Sequence, residues 1–349
     1  MSSTMIVHCA GGAGISIGDK VFSKLENLGD GFCKIKYHYI DSSRANIDKI
    51  EPKGEFYQIR TKSNSIDEIS GSGAERKKFA IDIMANVKEY LDQNKYLQLV
   101  RSEFHVVVAS GSGATGNIAQ SLIIKDLISR NIPTIAVVIG DSSNALSCIN
   151  TINTLASLNS VAINARKALS VIYINNHTLA KGGNMNKAEE SANKYLSNIM
   201  VSCSLFLSGD NEDLDNQDMA GIVDQSHYST IKVQPGLYGL TFYSKDITPA
   251  EGTIPTVGRT LTLPGKDFDP NLTLLHHKRG YVTTQNAIDV IKDENFPLHM
   301  VSFANYFKAE EASLKEQAKH YENIMKNIEQ TSVTGLESSV EDNTTGLIF

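Results

Sequence analysis

The sequence predicts an α/β protein in two unequal parts, and three observations carry that prediction. Short β-branched runs alternate with amphipathic stretches as far as residue 176, the pattern of a parallel sheet with helices on both faces. Glycine-rich turns stand where such runs meet the stretches behind them. A long segment of helical periodicity, residues 184–207, then divides this half from a region of short alternating strands.

The first strand, residues 5–10, runs directly into Gly11-Gly12-Ala13-Gly14 and a helix expected from residue 15 to about 28. Residues 32–40 form the next strand and end in Asp41, a carboxylate that either faces a ligand or caps its own turn with Ser42 and Ser43. Residues 42–75 are polar and weakly periodic, an expected loop closing on Ser70-Gly71-Ser72-Gly73-Ala74-Glu75. A helix over 77–91 follows it, with Arg76 at the entrance. Arg76 and Lys77 either neutralise an anion there or solvate a helix start.

Residues 110–117, Ser-Gly-Ser-Gly-Ala-Thr-Gly-Asn, lie between a strand at 104–109 and a helix at 118–130. Gly111, Gly113 and Gly116 lack a Cβ, so the backbone can present successive N–H groups to an anion beside a helix N-terminus. Ser112 and Thr115 add hydroxyl donors, and Ala114 and Asn117 complete the turn. The spacing also satisfies G-x-G-x-x-G, the dinucleotide pattern, with Asp141 closing the next strand (132–140) where an acid can hold a ribose hydroxyl. The first turn fails that pattern, because Ile17 occupies the place of its third glycine. Three such turns ahead of three helices suit a chain of phosphates lying across several strand ends, whereas one phosphate needs one cradle. The plain alternative is a set of tight turns that bind nothing.

Beyond Asp141 a loop turning helical covers 142–158, and a buried strand covers 170–175. The helix at 184–207 carries Ala188, Ala192, Tyr195, Ile199, Met200, Cys203 and Phe206 at mostly three- and four-residue steps. Asp213, Asp215 and Asp218 then crowd the start of a short helix, where acids also simply favour the helix dipole. Strands are expected at 230–233, 239–243, 259–263, 272–276 and 299–303, with one helix at 284–292. His276 and His277, adjacent in a strand, point to opposite faces and do not read as a metal site. Phe307, Leu314, Tyr321 and Ile328 recur at seven-residue steps through 304–330, and a helix of that length is roughly 40 Å long. Residues 331–349 carry Glu337, Glu341 and Asp342, no basic residue, and end on Leu347-Ile348-Phe349.

Composition narrows the function. The 349 residues are 41 % hydrophobic, enough for a sizeable core. A net charge of −6 with no basic stripe argues against direct nucleic-acid binding. The absence of a signal peptide or an apolar run of about 20 residues argues against a membrane. Four cysteines without C-x-x-C spacing point to a reducing cytoplasm.

In their order these features resemble the tubulin/FtsZ superfamily, most closely its bacteriophage branch, the PhuZ-type phage tubulins. The glycine-rich signature of that family looks like residues 111–117, here with Ser112 for a glycine and Ala114-Thr115 where Thr-Gly is common. Ala10-Gly11-Gly12-Ala13-Gly14 is similar to the phage form of the first turn, and the loop at 71–77, the strand at 134–140, the long helix and Leu214-Asp215-x-x-Asp218 follow in the family's order. The resemblance implies a tubulin/FtsZ-like fold: a GTP-binding domain over 1–183, a central helix over 184–208, an α+β activation domain over 209–303, a C-terminal helix over 304–330 and a tail over 331–349 that reaches the next subunit. It implies GTP or GDP with Mg²⁺, with no protein metal ligand assigned. The nucleotide would be held by Gly11, Gly12, Ala13, Gly14, Asp41, Gly73, Ala74, Arg76, Gly111, Ser112, Gly113, Ala114, Thr115, Gly116, Asn117 and Asp141, with Asn193 on the guanine. Glu189 stands where the family often stacks an aromatic residue on the base. Asp215 and Asp218 would complete the GTPase site of a neighbour in a head-to-tail homopolymer. Such filaments would position phage material, a capsid or a nucleus-like compartment, in the host bacterial cytoplasm. Two other readings stay open at this point: an NAD(P)-dependent oxidoreductase, and a tubulin-like nucleotide-binding regulator that does not polymerise.

Overall fold

The computed structural model describes residues 4–60, 76–93, 103–177, 185–208, 211–228, 231–245, 247–266, 271–292 and 296–336. The strands are β1 (Thr4–Ala10), β2 (Lys34–Asp41), β3 (Glu55–Gln58), β4 (Glu103–Ser110), β5 (Thr134–Gly140), β6 (Ala168–Asn175), β7 (Asn211–Glu212), β8 (Gly236–Tyr243), β9 (Ile254–Thr262), β10 (His276–Val282) and β11 (His299–Ala304). They form one mixed sheet in the order β3-β2-β1-β4-β5-β6-β8-β11-β9-β10-β7. The helices are α1 (Gly11–Lys20), α2 (Arg76–Gln93), α3 (Thr115–Ser129), α4 (Ala145–Ala165), α5 (Met185–Phe206), α6 (Asn216–Val223), α7 (Gln285–Ile291) and α8 (Tyr306–Leu336).

The central strands are mostly apolar because helices cover both of their faces. Alternate residues serve different cores. Val106 and Val108 of β4, with Ile135, Val137 and Ile139 of β5, face a core shared with α1 and α5. Val107 and Ala109, with Ala136 and Val138, face a core shared with α2, α3 and α4. Helix α5 buries Ala192, Leu196, Ile199, Met200, Cys203 and Phe206 in the first core, together with Leu240 and Phe242 of β8 and Val257 and Leu261 of β9. The two sequence regions therefore share one core and one sheet, joined where β6 pairs in parallel with β8.

Several boundaries differ from expectation, each for a local reason. The first helix starts at Gly11, four residues early, because the glycine turn is itself the first helical turn; after Lys20 the chain tightens into a 3₁₀ segment, Phe22–Asn27. The expected loop at 42–75 contains β3, four residues that extend the sheet edge beside β2. The loop expected at 142–158 is instead the start of α4, which Asn144 caps by accepting from Ser147 N–H at 2.9 Å. Its buried Thr154 returns its hydroxyl to the Asn150 carbonyl at 2.8 Å, so a polar-looking sequence stays helical. The strand expected at 272–276 begins only at His276, since Leu272 and Leu274 instead pack on Ile247, Val301 and Phe303. No strand forms over 231–233, and α8 continues to Leu336.

Candidate functional site

The C-terminal ends of β1, β2 and β4 open into a cleft of about 380 Å³. It is lined by Ala10, Gly11, Gly12 and Ala13 from the first turn, Asp41, Ser42, Ser43 and Asn46 from the second, and Ser110, Ser112, Gly113, Ala114, Thr115 and Gly116 from the third, with Ser147 at the rim. Gly11 has φ +71°, and a Cβ on it would sit 2.9 Å from the Gly116 backbone. The first and third turns are thus in direct contact, which only paired glycines permit. At Gly113 a Cβ would meet only the Ser110 Cβ, at 3.9 Å, so this glycine borders the open cleft. Gly14 is buried behind the first turn.

The third turn is held from behind. Asn117, fully buried, donates to the carbonyls of Gly111 and Gly113. Asn150 donates to the Ser112 carbonyl at 2.9 Å, and Thr154 to that of Gly111 at 2.8 Å. In a planar trans peptide the N–H points opposite the carbonyl, so fixing the Ser112 and Gly113 carbonyls inward turns the N–H groups of Gly113 and Ala114 toward the cleft. Helix α3 begins one residue later and adds the partial positive charge of its N-terminus. Among side-chain hydroxyls, Ser42 Oγ and Thr115 Oγ1 lie 2.9 Å apart and tie the second turn to the third. This floor of amides and hydroxyls fits a phosphate chain.

Asp41 is the cleft's carboxylate and is only 5 % exposed. It accepts from Ser42 N–H at 2.8 Å and from Asn46 Nδ2 at 3.3 Å. Burial raises its pKa, and these hydrogen bonds oppose the rise. Asp141 accepts from both the N–H and the hydroxyl of Ser143 at 2.9 Å, in the turn before α4, and does not line the cleft. Asn193 lies half-buried on α5, also outside the lining. Gly73 and Ala74 lie outside the described residues, as do the side chains of Arg76, at the start of α2, and of Glu189. Asn46, Ser147, Asn150 and Thr154 were not expected to contribute; each sits in a polar stretch whose spacing carries no recognisable pattern.

Asp215 and Asp218 form a second constellation at the start of α6. Asp215 is its N-cap, accepting from the N–H groups of Gln217 and Asp218 at 2.8 and 2.9 Å, while Asp218 Oδ2 accepts from the Asp215 N–H at 3.0 Å. This reciprocal capping box fixes both acids. Lys278 Nζ lies 2.5 Å from Asp218 Oδ2. Burial pushes the Asp218 pKa up, but the Lys278 hydrogen bond, the capping bond to Asp215 and the Arg259 charge outweigh it, and the net shift is downward. Asp213, Asp215, Asn216, Lys278 and Arg279 border an open depression of about 760 Å³.

The two constellations lie far apart across the sheet: Asp218 contacts Arg259 of β9 and Lys278 of β10, five and six strand steps from β4, at about 4.8 Å per step. At the end of α6, Asp224 pairs with Lys167 at 2.7 Å and bridges Leu169, at the start of β6, whereas the cleft sits at the ends of strands parallel to β6. A strand of eight residues separates those ends by about 26 Å. Across the sheet, β7, which leads into α6, stands at the edge opposite β3, with six strands between it and β4.

No protein-family model and no curated protein matches the sequence. The strand order, the helices on both faces and the long α5 are those of the tubulin/FtsZ fold. Solved structures that share this fold include phage tubulins and a CetZ. PhuZ in its GDP form superposes with a TM-score of 0.72 at 17 % identity, covering 99 % of each chain. A protofilament of TubZ from bacteriophage PhiKZ gives 0.68 at 16 %, covering 99 % of this chain and 95 % of that one. CetZ from Methanosaeta thermophila gives 0.68 at 14 %, covering 97 % and 96 %.

Proposed function

We propose that the chain binds a guanine nucleotide in the cleft and hydrolyses GTP when it assembles head to tail. One observation carries the reading: the paired acids stand beside β9 and β10, several strands away from the phosphate-fitting turns of the same chain. In a head-to-tail stack of identical subunits the acids of one meet the cleft of the next, a heterologous contact that propagates as a filament. Within the cleft, the N–H groups of Gly113 and Ala114, the α3 N-terminus and the Thr115 hydroxyl hold phosphate oxygens. Mg²⁺, near Asp41 and Thr115, would supply charge neutralisation on the phosphates. From the next subunit, Asp215 and Asp218 orient the attacking water and take up its proton as it meets the γ-phosphate. Asn193 as the guanine reader rests on its place in the long helix. Filaments that position phage material in a host cytoplasm, with the tail beyond Leu336 reaching the neighbour, are the cellular form of the same proposal.

Ligand identity and concentration dependence test it together. GTP should raise light scattering, with phosphate release per subunit near zero below a critical concentration and steep above it. Equal rates in dilute and concentrated protein would refute activation by assembly. Nucleotide binding without sedimentation would support a non-polymerising regulator, and NAD(P)H fluorescence enhancement an oxidoreductase.

A further inference from the structure

Behind the acid-bearing turn lies a cation with no exposure. Arg259, in the middle of β9, is 0 % exposed. Its guanidinium has five N–H donors, and each has an acceptor. Nε donates to the Asp218 carbonyl at 3.1 Å and Nη2 to the same oxygen at 2.8 Å. The second proton of Nη2 goes to the Tyr228 hydroxyl. Nη1 serves the Gly258 carbonyl at 2.7 Å and His276 Nδ1 at 3.1 Å. Tyr228 and His276 stack at 4.8 Å between centroids and so form one wall of the pocket. No carboxylate is among these four acceptors.

That arrangement is not the cheapest way to fill the space. A buried charge without a direct counter-ion is costly, and an apolar side chain of similar volume usually serves stability as well or better. What the guanidinium does that an apolar residue cannot is grip one backbone oxygen of the acid turn with two donors while anchored on three other groups. The gripped oxygen belongs to Asp218, which in turn fixes Asp215 through the capping box. We infer that Arg259, with Tyr228 and His276, is a positioning device for the acids that act on the neighbouring subunit's nucleotide. The inference rests on the proposed hydrolysis in trans.

The device requires His276 to accept at Nδ1 and so to be neutral, with its proton on Nε2. Burial lowers the His276 pKa, and the adjacent Arg259 charge lowers it further, in the same direction as the requirement. At position 276 a side-chain carbonyl can replace the imidazole acceptor, whereas an aliphatic group leaves one guanidinium donor unpaired.

The test reads turnover per polymerised subunit separately from assembly and nucleotide affinity. Arg259→Lys keeps the charge but cannot span the set of acceptors; it should bind GTP and sediment at the wild-type critical concentration while turnover falls at least tenfold. His276→Leu should show the same split, and His276→Gln should restore most of the rate. Arg259→Lys turning over within twofold of wild type overturns the inference. Should Arg259→Lys fail to fold, the pair at 276 decides: slow Leu with restored Gln supports it, and any other pattern overturns it. Asp215→Ala, run alongside, separates the two layers: if Asp215→Ala is inactive and the clamp variants are not, only the positioning inference fails. If Asp215→Ala is fully active, the reading beneath it fails.

Discussion

On three neighbouring strands His8 stacks in the core between His38 and His105, with ring centroids 5.5 and 5.2 Å away, and bonds both Tyr90 at 3.0 Å and His105 at 2.9 Å. Burial lowers the pKa of His8 well below its usual value and that of His105 to about 3, with neighbouring histidines adding to both shifts. Because the unfolded chain binds protons at about 6.5 and the folded one does not, stability is complete above that pH and falls as the solution is acidified. His8 and His105 should each cost about 1.4 kcal/mol per pH unit below it. Asp218 acts with the same sign in a lower window: its depressed pKa means its contribution is present at neutral pH and is lost only below about 4. Denaturation midpoints between pH 7 and 5 should therefore report the histidines, and His105→Asn should flatten the slope. A midpoint that does not move over that range contradicts this account. Also at this scale, Asp215→Ala should assemble on GTP but lower turnover by roughly 10²–10⁴-fold and leave filaments that do not disassemble. Full activity in that variant would reduce the acid to a helix cap.

Glycine in the turns does two different jobs, and substitution separates them. A side chain at Gly116 meets the Ala10 carbonyl at 2.6 Å, a backbone atom that cannot move aside, so Gly116→Val should destabilise by about 1–3 kcal/mol. At Gly113 an added Cβ meets nothing closer than 3.9 Å, so Gly113→Val should leave the melting temperature nearly alone while weakening GTP binding tenfold or more by filling the cleft floor. Equal melting losses in both would show that the cleft is merely a packed junction. The sequence showed the glycine turns, the long α5 and the apolar central strands, because burial on both faces writes a continuous run and a packed helix writes its period. It hid how early α4 begins, because Asn150, Thr151 and Thr154 are buried polar residues satisfied by backbone oxygens and so look like loop residues. It misplaced β10 because Leu272 and Leu274 are apolar for packing, while the paired strand itself contains His276, His277, Lys278 and Arg279. The acids were visible at Asp215 and Asp218; the Arg259 that grips their turn was not, since nothing in one strand residue announces a contact 41 positions away.

For the molecule as a whole, the separation of cleft and acids makes one prediction that no single-chain mechanism shares. In a head-to-tail polymer each active interface takes its cleft from one subunit and its acids from the next. Gly113→Val has sound acids and a blocked cleft; Asp215→Ala has a sound cleft and a missing acid. Each should be nearly inactive alone. Mixed in equal amounts and assembled on GTP, random order places an Asp215→Ala cleft against Gly113→Val acids at about a quarter of the interfaces, because each half of the contact is drawn independently. Phosphate release from the mixture should then rise to about a quarter of the wild-type rate, provided sedimentation shows both chains in the pellet. Hydrolysis within one chain allows no such recovery, since neither variant holds a complete site. A co-sedimenting mixture no faster than the sum of its parts would place the reaction inside the subunit and leave the acids without a role in it.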